Sequence, residues 1–168
     1  FNIAPDRDLL AAMTYMSSRG FIYEGKYLQL IAPKLTPEHN DSLWQVEAKF
    51  LAEDKKTKLK RWLINFSEEL DLNEKTHLSA RYYRVSDPQY FKEIARTNTE
   101  IKKLESFIKY SYDDEDEYLS AEILTQNEQI VNAGTPEYTR ALEGSVSKTF
   151  NAEKNMPIDV NFVSTKFD

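Results

Sequence analysis

The sequence predicts an α+β fold: a mostly antiparallel, twisted sheet packed against one long amphipathic helix over about residues 88–109, with two shorter helices over about 6–19 and 136–150. Three observations lead there. Trp44, Val46, Ala48, Phe50 and Ala52 alternate with Gln45, Glu47 and Lys49, the period-2 pattern of a half-buried strand. Phe91, Ile94, Ile101, Leu104 and Ile108 form an apolar stripe among Lys and Glu, opened by Asp87 as N-cap and Pro88 at the first helical position. At 168 residues, with 9 Phe, 10 Tyr and 2 Trp, the chain has the length and apolar content for one core, so residues 1–168 are expected to form a single domain.

The elements follow in order. Asp6 caps a helix through Ser18, on which Leu9, Leu10, Met13 and Met16 recur at helical spacing, Arg19 suits the C-terminal dipole and Gly20 is the stop. Residues 21–31 are rich in aromatic and branched side chains around Gly25 and read as strand or hairpin. Pro33, Pro37 and the run Glu38-His39-Asn40-Asp41 make a loop. Residues 58–70 fit either period, since Trp62, Ile64 and Phe66 alternate while Leu59, Trp62, Leu63, Phe66 and Leu70 share a helical face. A hairpin turning near Asp54 is preferred, placing Trp44 and Val46 on one face with Trp62 and Ile64, and Glu47 across from Arg61. Thr76 to Val85 reads as a strand ending at Ser86-Asp87-Pro88, and Tyr118 to Val131 as another. Thr135-Pro136-Glu137 starts a helix carrying Tyr138, Leu142, Val146 and Phe150, and Ile158, Val160 and Phe162 close the chain as a strand.

Charge and composition narrow the function. Charged residues make up 30% of the chain, which predicts a soluble protein with a densely solvated surface. The 22 Lys and Arg against 28 Asp and Glu give a net charge of −6, which repels polyanions and argues against nucleic acid. No apolar run approaches the roughly 20 residues of a helical membrane span. Without cysteine there is no disulfide, thiolate nucleophile or Cys-ligated metal. The chain opens on Phe1, as a processed or excised protein can, so both a cytoplasmic and an extracytoplasmic location stay open.

No catalytic motif, metal site or cofactor cradle is predicted. His39, beside Glu38 and Asp41, reads as an exposed loop histidine more readily than as a metal ligand. His77 and Ser79 share a strand face, but a nucleophile needs a geometry that such a pair does not encode. The run Asp113-Asp114-Glu115-Asp116-Glu117 lacks the spacing and glycine of a calcium loop and reads as a solvated acidic loop. No Gly-rich phosphate loop is present, and with 4 glycines in the chain a nucleotide cradle of the common kinds is not expected.

The function expected is that of a non-enzymatic protein-binding or assembly module, whose partner is another protein or a second copy. Its candidate surfaces are an acidic, tyrosine-rich patch of Tyr110, Tyr112, Asp113, Asp114, Glu115, Asp116, Glu117 and Tyr118, and a basic patch of Lys55, Lys56, Lys58, Lys60 and Arg61. The alternative is a small-ligand binder or hydrolase-like enzyme with His77, Arg81, Tyr83 and a carboxylate around a pocket on the concave face of the sheet.

Overall fold

A computed structural model describes residues 2–31, 42–95, 101–115, 117–132, 140–150 and 158–167. They form one 10-stranded sheet in which every strand pairs with its sequence neighbour. The strands are β1 (Asn2–Ala4), β2 (Arg7–Met16), β3 (Gly20–Ile31), β4 (Ser42–Leu51), β5 (Arg61–Asn73), β6 (Thr76–Val85), β7 (Lys103–Asp114), β8 (Leu119–Ile130), β9 (Arg140–Phe150) and β10 (Ile158–Phe167). All pairings are antiparallel, so the chain runs up and down without a crossover.

This overturns the α+β expectation. Among the described residues the only helical element is a one-turn π-helix, Phe91–Ala95. The segment expected as the first helix is β2, whose Leu9 and Met13 lie on one face and Leu10 and Met16 on the other. Gly20 is needed for a different reason than a helix stop. It closes the β2–β3 turn at φ 114°, a conformation that L side chains rarely adopt. The expected long helix divides into the β6–β7 connection and β7. Asp87 does cap a turn, its Oδ1 accepting the Gln89 N–H at 3.0 Å, but the helix ends after that turn. From Arg140 onward the expected third helix is β9; its predicted start, and the His39 loop, lie outside the described residues.

The strand expectations fare better. β4, β6, β8 and β10 fall where the sequence places strands, and the β4–β5 hairpin puts Trp44, Val46, Trp62 and Ile64 on one face. Its register differs: Glu47 faces Asn65, and Arg61 faces Leu51.

The buried apolar residues gather at the end of the sheet where β2–β3, β4–β5 and β6–β7 are joined. Ile22, Leu51, Leu63 and Val85 are covered there by Tyr90, Phe91 and Ile94 of the β6–β7 connection, with Leu104 and Val131 completing the cluster. Phe91 meets the rings of Tyr83 and Tyr90 edge-on, at 6.3 and 5.8 Å. Truncating such a buried ring costs about 3–5 kcal/mol, so this cap is a stabilising unit and not a loose loop.

Candidate functional site

Residues directly opposite across a ladder share a face, so the register assigns every strand residue to one of two surfaces. On the first, Met13, Tyr23, Phe50 and Trp62 form one row, and Leu9, Tyr27, Val46, Phe66 and Tyr82 another. Across the second half of the sheet, Thr76, Tyr112, Ala121, Val146 and Phe162 form a third. This face is apolar and uncovered: Met13, Ile123 and Phe162 are 62%, 57% and 66% exposed. Aromatic rings pair toward both of its ends, Tyr15 with Phe21 at 4.8 Å near the cap, and Trp44 between Tyr27 and Phe66 at 6.3 and 5.8 Å toward the other.

The opposite face is polar. Its rows run Lys26, Glu47, Asn65, Tyr83 and Asp71, His77, Ser111, Glu122, Ser145. Ion pairs run along and across its strands: Lys49 lies 3.3 Å from Glu24 on β3 and from Glu47 on its own strand, and Lys109 2.6 Å from Glu122. The expectation of a simply soluble protein with a densely solvated surface is therefore corrected. Charge is concentrated on one face and the loops, and the other face is a continuous exposed apolar surface.

At the capped end a buried charge network holds three connections together. Asp54, with no exposed surface, accepts from the Arg19 guanidinium and from the Lys56 N–H at 2.9 Å, and Arg61 Nη1 lies 3.4 Å from it. Glu93 accepts from Arg19 Nη2 and Arg61 Nη1, each at 3.0 Å. Burial alone would raise the Asp54 pKa, but the Lys56 N–H, the Arg19 guanidinium and the Thr57 hydroxyl outweigh it and hold the carboxyl below its ordinary range. Glu93 is lowered as well, chiefly by the hydrogen bond from Arg61 and also by Arg19, against a smaller effect of burial. Burial pushes the Tyr90 phenol upward, so it stays neutral.

A second local feature lies between β6 and β7. Their ladder stops at Arg81 opposite Phe107, although β6 continues to Val85 and β7 begins at Lys103. Side chains replace the missing main-chain partners. Ser106 Oγ accepts the Tyr83 N–H at 3.1 Å and donates to the Tyr83 carbonyl at 3.4 Å. Gln129 Oε1 accepts the Val85 N–H at 3.0 Å while its Nε2 donates to the Val85 carbonyl at 2.8 Å, as a neighbouring peptide would.

The two patches expected from the sequence lie at opposite ends of the strands. Tyr110, Tyr112, Asp113 and Asp114 finish β7, with Glu115, Glu117 and Tyr118 in the turn to β8; Asp116 is outside the described residues. Asp114 is satisfied internally, accepting from Tyr112 Oη at 2.8 Å and lying 2.8 Å from Lys75 Nζ. Lys55, Lys56, Lys58 and Lys60 are exposed on the β4–β5 connection, whereas Arg61 is 2% exposed within the charge network. Sequence reasoning gave Asp54 only as a turn position and passed over Glu93, Ser106 and Gln129, whose partners Arg61, Tyr83 and Val85 are 32, 23 and 44 residues away.

His77, Arg81 and Tyr83 do share the polar face, but at about 3.3 Å per residue His77 and Tyr83 are roughly 20 Å apart. His77 Nδ1 lies instead 2.5 Å from Asp71 Oδ1, with its side chain half exposed. Among the described residues no three His, Asp or Glu side chains are grouped so as to hold a metal ion, and no helix is long and apolar enough to cross a membrane, which says nothing of strands.

Part of the chain is similar to LPS-assembly proteins. It is 31% identical over 97 residues to LPS-assembly protein LptD of Cupriavidus pinatubonensis, a match covering 58% of this chain and 11% of that protein. To the LptD proteins of Pseudomonas entomophila and Pseudomonas putida it is 27% identical over 111 residues and 29% over 98, covering 61% and 56% of this chain and 11% and 10% of theirs. The chain thus spans about a tenth of the length of these relatives. No family model matches it. The expectation of an assembly component agrees, at that coarse level, with the name these relatives carry.

Proposed function

We propose that this chain is a section of the wall of a membrane-spanning β-barrel that takes part in the assembly of lipopolysaccharide, with no catalytic role. The observation that carries the reading is the two-faced register, which keeps an apolar face continuous across β2 to β10 while the other face stays polar and ion-paired. A sheet whose apolar face is merely half a core needs a second layer. Here nothing among the described residues covers that face, and a hydrocarbon environment is the solvent that suits it. Strand length supports the same reading: β2 to β10 have 10 to 13 residues, and about 9–11 tilted residues cross a bilayer. So do the aromatic rings toward both ends of the apolar face, where such barrels place their aromatic girdles.

In this arrangement the polar face lines an aqueous interior. β10 pairs only with β9 among the described residues, and an open sheet edge is not tolerated in hydrocarbon, so the partners required are further strands that close the wall. The exposed lysines of the β4–β5 connection and the acidic β7–β8 turn stand at the two ends of the wall, and there they meet aqueous protein partners. The similarity to LPS-assembly proteins supplies the proposed cargo.

Trp44 and Trp62 both lie on the apolar face and allow a direct test. The chain is reconstituted in vesicles of phospholipids brominated on their acyl chains. Tryptophan emission is expected to fall well below its value in unbrominated vesicles. Equal emission in the two would overturn the reading.

A further inference from the structure

Where β6 and β7 part there is a groove of about 330 Å³ whose lining includes Phe66, Ala80 and Ile108 of the apolar face together with Arg84, Asn127 and Arg81, the last of these stacked over the Tyr83 ring at 5.1 Å. Arg84 stands on the apolar face, level with Ile64 and one residue from the end of β6. Lys148 also stands on that face but lies 3.3 Å from Glu117, whereas Arg84 has no such partner among the described residues. Among the described residues its one hydrogen-bond acceptor is Asn127 Oδ1, a neutral group, so the guanidinium has no carboxylate counter-ion. At the neighbouring gap Ser106 and Gln129 satisfy the β6 main-chain groups that a closed ladder would otherwise claim.

We propose that this groove is a binding site for an anionic phospholipid, one acyl chain lying along Phe66, Ala80 and Ile108 and the phosphate pairing with Arg84. The proposal rests on the reading of this face as lipid-facing. Charge complementarity selects the occupant: an uncompensated guanidinium at the end of an apolar groove matches a molecule with a hydrocarbon tail and one phosphate, and a charge near a strand end reaches the headgroup level at little cost. A neutral acyl chain would leave Arg84 unanswered, and a soluble phosphate would leave the groove empty.

The test uses the Trp44→Phe protein, in which Trp62, on the same face beside Ile64, is the sole reporter. Acyl-brominated phosphatidylglycerol or phosphatidylcholine is added as a minor component of unbrominated zwitterionic vesicles. At equal mole fraction the anionic lipid is expected to associate about fivefold more strongly, the ratio given by about 1 kcal/mol per basic residue at a membrane surface. Arg84→Gln should abolish the preference and Ala80→Phe, which fills the groove, should weaken it, while Lys148→Gln leaves it unchanged. Equal quenching by the two lipids, or a preference that survives Arg84→Gln, would overturn the site and leave the lipid-facing reading intact. Quenching by neither would overturn both. Displacement of the brominated lipid by lipopolysaccharide at lower mole fraction would overturn the assignment to phospholipid.

Discussion

Arg61 Nη2 donates to Asp87 Oδ1 at 2.7 Å, and Nε lies 2.7 Å from Oδ2 as an ion-pair contact without hydrogen-bond geometry. This pair ties the start of β5 to the connection that carries Phe91 and Ile94, and Arg61 Nη1 extends it to Glu93. A guanidinium alone offers that many donors in one plane. Arg61→Lys is therefore expected to destabilise the cap although the charge is kept, and Arg61→Leu to cost more, on the order of 3–5 kcal/mol, by leaving Asp54, Asp87 and Glu93 together without it. Thermal unfolding of the three proteins followed by near-ultraviolet circular dichroism would show the order.

The same network sets an acid limit. Asp54 and Glu93 both have pKa values lowered in the folded protein, facing Arg19 and Arg61 with Asp87 beside them. A depressed carboxylate contributes stability that is fully present above its unfolded pKa, about 4, and is lost as pH falls through the folded value. The cap is thus expected to hold unchanged from neutral pH down to about 5 and to loosen below about 4. In Asp54→Asn the acid-induced loss should shrink, because part of it is already present at neutral pH. An acid transition of undiminished size in that variant would assign the effect to other groups.

What was legible in the sequence was the alternation itself, and what misled was arithmetic. Four is a multiple of two, so a strand whose apolar face reads apolar, blank, apolar also reads as a helix. On β9, Leu142, Val146 and Phe150 share a face with Gly144 and Lys148 between them, and the interval of four imitates a helical stripe. On β7, Ser106 interrupts the apolar row between Leu104 and Ile108 and gives the same illusion. β4 escaped it, since Trp44, Val46, Ala48 and Phe50 leave no blank. The charge network had no sequence signal beyond the Asp87-Pro88 start, because its members converge only once three connections meet at one end of the sheet. The apolar phase was visible on β4, β5 and β10, but its continuity across the sheet depends on register, which a one-residue slip would reverse.

Gln129 tests the seam. Its side chain occupies both hydrogen-bonding groups of Val85, so Gln129→Leu removes two bonds at once and leaves a buried N–H and C=O unmet. At about 1–3 kcal/mol for each unsatisfied group, the Val85 amide should exchange with solvent at least tenfold faster, with amides in the β2–β3 ladder unchanged. Gln129→Glu preserves the acceptor for the Val85 N–H and loses the donor to its carbonyl, so it should fall between the two. Uniform acceleration across the sheet would mean that Gln129 supports global stability and not this seam.

Ile123 and Glu122 are neighbours on β8 that point to opposite faces, Ile123 in the row of Tyr110 and Gly144, Glu122 in that of Ser111 and Ser145. In water the two faces differ little in their tolerance of charge, since Ile123 is 57% exposed and a charge there would simply be solvated. In a bilayer the difference is large. An arginine at mid-depth on the lipid side costs about 2–4 kcal/mol, whereas substitutions on the interior side mainly alter what the lumen admits. Ile123→Arg is therefore expected to lower the unfolding free energy in lipid vesicles by an amount in that range, and Glu122→Gln to change it by less than about 1 kcal/mol, the usual worth of an exposed ion pair such as that with Lys109. Moving the charged substitution from Ile123 to Phe150, at the end of β9 on the same face, should reduce its cost toward zero as the side chain reaches the headgroups. A cost independent of depth would place the apolar face against protein and not against lipid, because a packed protein layer has no interface toward which a charge can escape.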